Sequence, residues 1–227
     1  MKCQILKRVR RVGLLTILMT ISLQVNANIT FTFEEAGGTV TMTSSGTLDT
    51  SNLVSVERSD GWGGTGTENN SSTGDIDIMG GTSFGGIDTQ FGFSDGTDAS
   101  AIMNPGGPFA SSDFSVVTIA GSKSFTTYSG FIDSLRIAGI GIVAADMDGS
   151  LWTPDQVWTY APGETLESLG LNPGTFAVRD AATGETITIQ VGGAPVAVPT
   201  LDIRALTLLA VVFLLLGGLV LRRRNRI

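Results

Sequence analysis

The side chains able to carry chemistry are few. Carboxylates are the only abundant titratable groups, and two pairs lie two residues apart: Asp75 with Asp77, and Asp146 with Asp148. On a strand that spacing puts both carboxylates on one face, roughly 6.6 Å apart between Cα atoms. Glycosidases use paired carboxylates at comparable separations. A solvated polar face has the same pattern and is the commoner use of it. The stretch Asp146-Met147-Asp148-Gly149-Ser150 reads as half of a calcium loop, without the third ligand and distal glutamate of the full pattern. No cofactor is expected, with one exception: weak calcium binding with Asp146 and Asp148 as the candidate ligands. Asp95-Gly96-Thr97-Asp98 is either a second such loop or an ordinary turn.

The chain contains no histidine, which excludes His-based triads, His metal ligands and a histidine base near neutral pH. Its single cysteine is Cys3, ahead of the main body, so the body has no thiolate nucleophile and no disulfide. The inventory points away from an enzyme, and no catalytic residue is assigned. Trp62, Trp152 and Trp158 are the remaining candidates for ligand contact. Exposed on a β body, they would stack on sugar rings. Buried, they would fill the core, as large aromatics mostly do.

These residues sit in a chain of alternating patterns. Ile29, Phe31 and Phe33 alternate with polar residues, Gly37-Gly38 make a turn, and Thr39 to Thr43 alternate again, which predicts a first hairpin. Asp75 to Met79 and Ser115 to Ile119 read as further strands. Leu135 to Ala145 is a longer apolar run, expected to be a central strand buried on both faces. Thr175 to Arg179 and Thr186 to Val191 pair across Asp180 to Glu185 as a final hairpin. Glu164 to Leu169 is one helical turn stopped by Gly170. Gly61 to Gly86 holds nine glycines in 26 residues and reads as a long surface loop. The expected fold class is all-β, a β-sandwich or jelly roll spanning 28–193.

Charge is segregated. The stretch from Asn28 to Pro199 has 4 basic against 20 acidic residues, a net −16, whereas the whole chain is at −7. That field repels nucleic acid and anionic lipid, so neither is an expected partner of the body. Five basic residues precede an apolar run, Val12 to Leu23, which is followed by Val25-Asn26-Ala27. This is the pattern of a secretory signal, residues 1–27, cut after Ala27, and it implies Sec-type export machinery. Near the other end, 17 uncharged residues, Ala205 to Leu221, precede Arg222, Arg223, Arg224 and Arg226. As a helix the run spans about 26 Å, long enough for one membrane crossing. The arginines of segment 222–227 act as a stop-transfer signal on the cytoplasmic side and leave the acidic body outside.

Between body and helix, in segment 194–204, lies Val198-Pro199-Thr200-Leu201. A short proline-bearing motif, one apolar helix and a terminal arginine cluster resemble the PEP-CTERM class of bacterial sorting signals, and most closely its IPTL-CTERM variant. Val198 stands in place of the isoleucine, and Asp202-Ile203-Arg204 follow where that family usually has Ser-Glu-Trp or similar residues. Ser168 to Phe176 and Thr186 to Gly192 also resemble stretches found late in the bodies of that class. The resemblance implies a membrane-embedded, exosortase-like transpeptidase as partner, reading the motif and cutting near it. Pro199 suits such reading: it removes a backbone donor and biases Val198 to an extended shape. The expectation is an exported cell-surface or extracellular-matrix protein of non-enzymatic type. Two alternatives remain: a carbohydrate-binding β-sandwich module with a polysaccharide partner, and a permanently anchored single-span membrane protein.

Overall fold

The computed structural model describes residues 28–56, 64–70, 75–81, 87–103, 105–129 and 138–193. Residues 1–27, expected from the sequence to be a signal cut after Ala27, together with Trp62 and everything from residue 194 onward, lie outside the described residues. That last stretch includes the Val198–Leu201 motif, the apolar run 205–221 and the terminal arginines. Among the described residues no helix is long and apolar enough to cross a membrane.

Strands dominate. In chain order they are β1 (Asn28–Ala36), β2 (Thr39–Asp49), β3 (Val54–Ser55), β4 (Gly66–Asn70), β5 (Asp75–Gly80), β6 (Thr89–Gly92) and β7 (Thr118–Ala120). They continue with β8 (Phe125–Ser129), β9 (Ala138–Ile142), β10 (Leu151–Trp152), β11 (Val157–Thr159), β12 (Gly174–Arg179) and β13 (Thr186–Val191). They form two sheets. One has seven strands, in the order β12-β13-β1-β2-β11-β7 with β10 also paired to β2. The other has six, in the order β3-β6-β9-β8-β5-β4. The body is therefore all-β.

Period-two alternation explains the first sheet. Ile29, Phe31 and Phe33 of β1 face inward beside Ile187, Ile189 and Val191 of β13, to which β1 pairs in parallel. Across the antiparallel β1–β2 hairpin, Met42 stands opposite Phe33, while Ser44 and Gly46 leave room opposite Phe31 and Ile29. The alternate positions, among them Thr30, Thr41, Thr43 and Thr188, turn outward, which accounts for the threonine richness. Phe125 of β8 in the second sheet stacks on Phe31 of the first, with ring centroids 4.9 Å apart. It also meets Trp152 and Trp158, at 5.8 and 6.3 Å. One aromatic core thus joins the two sheets, and each fully buried large side chain in it contributes roughly 1.5–3 kcal/mol.

The two predicted hairpins are present as β1–β2 and β12–β13. β9 lies between β6 and β8 and is buried at all five residues, as the apolar run predicts. Elsewhere the structure corrects the sequence reading. The glycine-rich stretch 61–86 contains β4 and β5, paired from Gly66–Met79 to Asn70–Asp75, so it is not one long loop. Backbone pairing needs no apolar alternation, and Gly66 lets that strand run close against the Asp113 carbonyl. The strand expected over Ser115–Ile119 is displaced to Thr118–Ala120. There Trp158 supplies a partner, opposite Ile119.

Candidate functional site

The two aspartate pairs have different fates. Asp146 ends a single 3-10 turn, Ala144–Asp146, and Asp148 opens a two-residue hairpin to β10. The Asp148 N–H donates to the Leu151 carbonyl at 2.9 Å, and the Leu151 N–H donates back at 3.0 Å. Gly149 takes the left-handed conformation this turn demands, at φ +62°. The half-calcium-loop sequence is thus spent on a tight turn, with Asp148 exposed and Asp146 half-buried. Among the described residues no group of three or more His, Cys, Asp or Glu side chains is placed to hold a metal ion. Asp75 and Asp77 do lie on one strand, β5, and Asp77 is buried. The residue opposite Asp77 is Glu68 of β4, a cross-strand carboxylate relationship that spacing along the chain does not reveal.

Trp152 and Trp158 are fully buried. Sugar contact at either is therefore corrected to a core role, because no ring face reaches solvent. The reason is positional: Trp158 alternates inward on β11 between exposed Val157 and half-buried Thr159, and Trp152 does the same on β10. The Trp158 indole N–H donates to Gln156 Oε1 at 2.7 Å, and Gln156 Nε2 donates to the Lys123 carbonyl at 2.7 Å. A buried glutamine thereby satisfies the polar edge of the core tryptophan.

Asp95-Gly96-Thr97-Asp98 is an ordinary turn. Thr97 N–H donates to the Ser94 carbonyl at 3.2 Å, and Asp98 Oδ1 accepts the Ser100 N–H at 2.9 Å. Hydrogen bonds from the Ser100 hydroxyl and backbone hold the Asp98 carboxyl below its ordinary value.

Sequence reasoning missed Asp180, a buried carboxylate in the β12–β13 turn. It accepts the Ser94 N–H, the Thr183 N–H at 2.6 Å and the Ala182 N–H at 3.0 Å. Burial pushes its pKa up, but hydrogen bonds from Ser94 and Thr183 outweigh that and hold the carboxyl at about 2. The signal available in sequence was an Asp followed by Gly184, the mark of a side-chain-capped turn. The reach to Ser94 is tertiary. With its acceptors already engaged, Asp180 serves as an anchor between loops.

These features define an all-β body of two sheets. The chain matches no family model, no curated protein and no solved structure.

Proposed function

We propose that this chain is an exported, non-enzymatic protein of the cell surface or extracellular matrix, with a β-sandwich body delivered by signals at its two ends. The observation that carries the reading is the order of features over the last 30 residues: Val198-Pro199-Thr200-Leu201, then the apolar run Ala205 to Leu221, then Arg222-Arg223-Arg224-Asn225-Arg226. A membrane helix followed by arginines holds the chain at the bilayer and presents the motif at a fixed height to an exosortase-like transpeptidase. At the other end, Val25-Asn26-Ala27 follows the apolar run Val12 to Leu23 and supplies the proposed cut. The last strand ends at Val191, just before the proposed spacer. A compact body between two processing signals is what this reading requires. Burial of Trp152 and Trp158 removes two of the three side chains that favoured sugar binding.

Mass spectrometry of the protein recovered from its producing cells tests the proposal. The expected mature species starts at Asn28 and lacks residues 205–227. A species that starts at Asn28 and retains 205–227 overturns processing and leaves the single-span anchor. A species that retains residues 1–27 in the cytoplasm overturns export.

A further inference from the structure

We propose that residues 111–116 form a flap that opens as a unit while both sheets stay folded, baring the edge of β4 and two interior hydroxyls beneath it. The flap hangs between two fixed points. On one side Phe109 is fully buried, edge-on to Phe33 with ring centroids 5.8 Å apart. Next to it the Ala110 N–H donates to the Gly170 carbonyl at 2.7 Å. On the other side the Val117 N–H donates to the Thr159 carbonyl at 3.0 Å, and β7 pairs with β11 directly after it. Between these points no side chain is buried: Ser111, Ser112, Phe114 and Ser115 are exposed, and Asp113 and Val116 are half-buried. Among the described residues, four hydrogen bonds tie the flap to β4. Thr67 and Asp113 exchange both backbone bonds, each at 2.8 Å. The Asn69 N–H donates to Ser112 Oγ at 2.9 Å, and the Ser112 hydroxyl donates to the Asn69 carbonyl at 3.3 Å. These bonds occupy the outer edge of β4, the last strand of the six-stranded sheet. An uncovered edge is a template for pairing with another strand, so the flap is its guard.

The interior beneath the flap favours opening. Thr67 stands opposite Ile78 on the core face of β4, is fully buried, and has a hydroxyl without a hydrogen-bond partner. The Tyr160 hydroxyl is likewise buried and unpartnered, and it lies close enough to Asp113 for that charge to raise its pKa. A hydroxyl shut away from water without a partner costs free energy. Opening hydrates both hydroxyls, breaks few hydrogen bonds and removes no buried side chain of the flap from the core. Segments with those properties lie at the low-stability end of a fold. Gly66 sets how closely the flap seats. A Cβ there would overlap the Asp113 carbonyl and press on the Phe114 ring, so only glycine lets the flap lie flat on β4. The device does not depend on how the chain is exported.

Thiol labelling of the full chain in detergent, in a Cys3→Ser background, tests the proposal. Thr67→Cys is expected to react with iodoacetamide at a rate that low urea leaves unchanged, because a local opening exposes little surface. Ile189→Cys, in the core row of β13, is expected to react far more slowly and only as urea unfolds the whole protein. Adding Tyr160→Phe to Thr67→Cys is expected to slow labelling about fivefold, since opening then hydrates one hydroxyl fewer. Adding Gly66→Ala is expected to speed it about tenfold or more, still without urea dependence, because the new methyl lifts the flap. Hydrogen exchange of the unmodified chain reads the same opening without a thiol. The amides of Thr67 and Asp113 are expected to exchange together and ahead of those of Ile187 and Ile189, whose strand is paired on both sides. Labelling of Thr67→Cys that rises with urea as steeply as that of Ile189→Cys overturns the proposal. So does a rate that Gly66→Ala fails to raise or Tyr160→Phe fails to lower, or exchange at Thr67 and Asp113 no faster than in β13.

Discussion

The carboxylate of Asp180 accepts the backbone N–H of Ser94, a residue 86 positions earlier in the chain. That bond ties the turn between β12 and β13, in the seven-stranded sheet, to the loop after β6, in the six-stranded sheet. Ser94 Oγ returns the contact by accepting the Ala182 N–H at 3.0 Å, and Thr97 Oγ1 accepts the Ala181 N–H at 3.1 Å. The two sheets are thus joined at this end by polar bonds and in the middle by aromatic packing.

A pH dependence follows from Asp180. Its carboxyl is held at about 2 in the fold, against 3.8 when unperturbed. A lowered folded value contributes stability above the unfolded value, and that contribution is lost as pH falls from about 4 through 2. The difference amounts to about 2 kcal/mol. Urea unfolding of wild type is expected to lose that much between pH 5 and pH 2, on top of other carboxylate effects. Asp180→Asn is expected to cost about 2 kcal/mol at pH 7 and to flatten the acid slope by the same amount. Equal slopes in the two proteins would show that Asp180 is not held this way.

The tryptophans make a second prediction. In a Trp62→Phe background, emission comes only from Trp152 and Trp158. Both are fully buried, so acrylamide is expected to quench them poorly and oligosaccharides to leave the emission unchanged. Trp158→Ala is expected to cost about 3–5 kcal/mol through the cavity it leaves. Gln156→Ala is expected to cost about 1–3 kcal/mol, because it strands the Trp158 N–H inside the core. A sugar-dependent change in emission would contradict the burial.

What was legible in the sequence was whatever period two controls. Ile29, Phe31 and Phe33 reveal β1, Thr186 to Val191 reveals β13, and the apolar run around Ile140 reveals the buried β9. What was not legible depends on distant partners. β4 has the composition of a loop and becomes a strand because β5 and Asp113 lie beside it. The parallel pairing of β1 with β13 joins the two ends of the body, and no local pattern encodes it. The candidate site divides the same way. Asp146 and Asp148 have a spacing that suits a metal or a tight turn, and only the backbone bonds between Asp148 and Leu151 decide between them. Alternation on β10 and β11 gives Trp152 and Trp158 a face, but which face is covered depends on Phe125 in the other sheet.

Two glycines test backbone geometry apart from packing. Gly46 and Gly149 both have positive φ, at +89° and +62°. A Cβ at Gly149 meets nothing within 4 Å, whereas one at Gly46 overlaps the Asn28 carbonyl across the β1–β2 ladder. Gly149→Ala is expected to cost only the left-handed penalty, about 1 kcal/mol. Gly46→Ala adds a backbone clash to that penalty, and about 3 kcal/mol or more is expected. Equal losses in denaturant melts would mean that β2 shifts freely at Gly46.

Tyr160 provides the alkaline counterpart of Asp180. It is fully buried, and its hydroxyl has no hydrogen-bond partner, as is also true of Thr67 Oγ1. Burial pushes the Tyr160 phenol well above its ordinary value of 10, and the charge of Asp113 pushes it further in the same direction. A raised folded value means the unfolded chain ionises first. Stability is therefore unaffected below pH 10 and falls as pH rises beyond it. Ultraviolet titration is expected to show Tyr160 ionising only as the protein unfolds. Tyr160→Phe removes an unpaired polar atom from the interior. It is expected to change stability at pH 7 by no more than about 1 kcal/mol in either direction and to blunt the alkaline loss. A cost of about 3 kcal/mol at neutral pH would instead show that the hydroxyl is engaged in the folded protein.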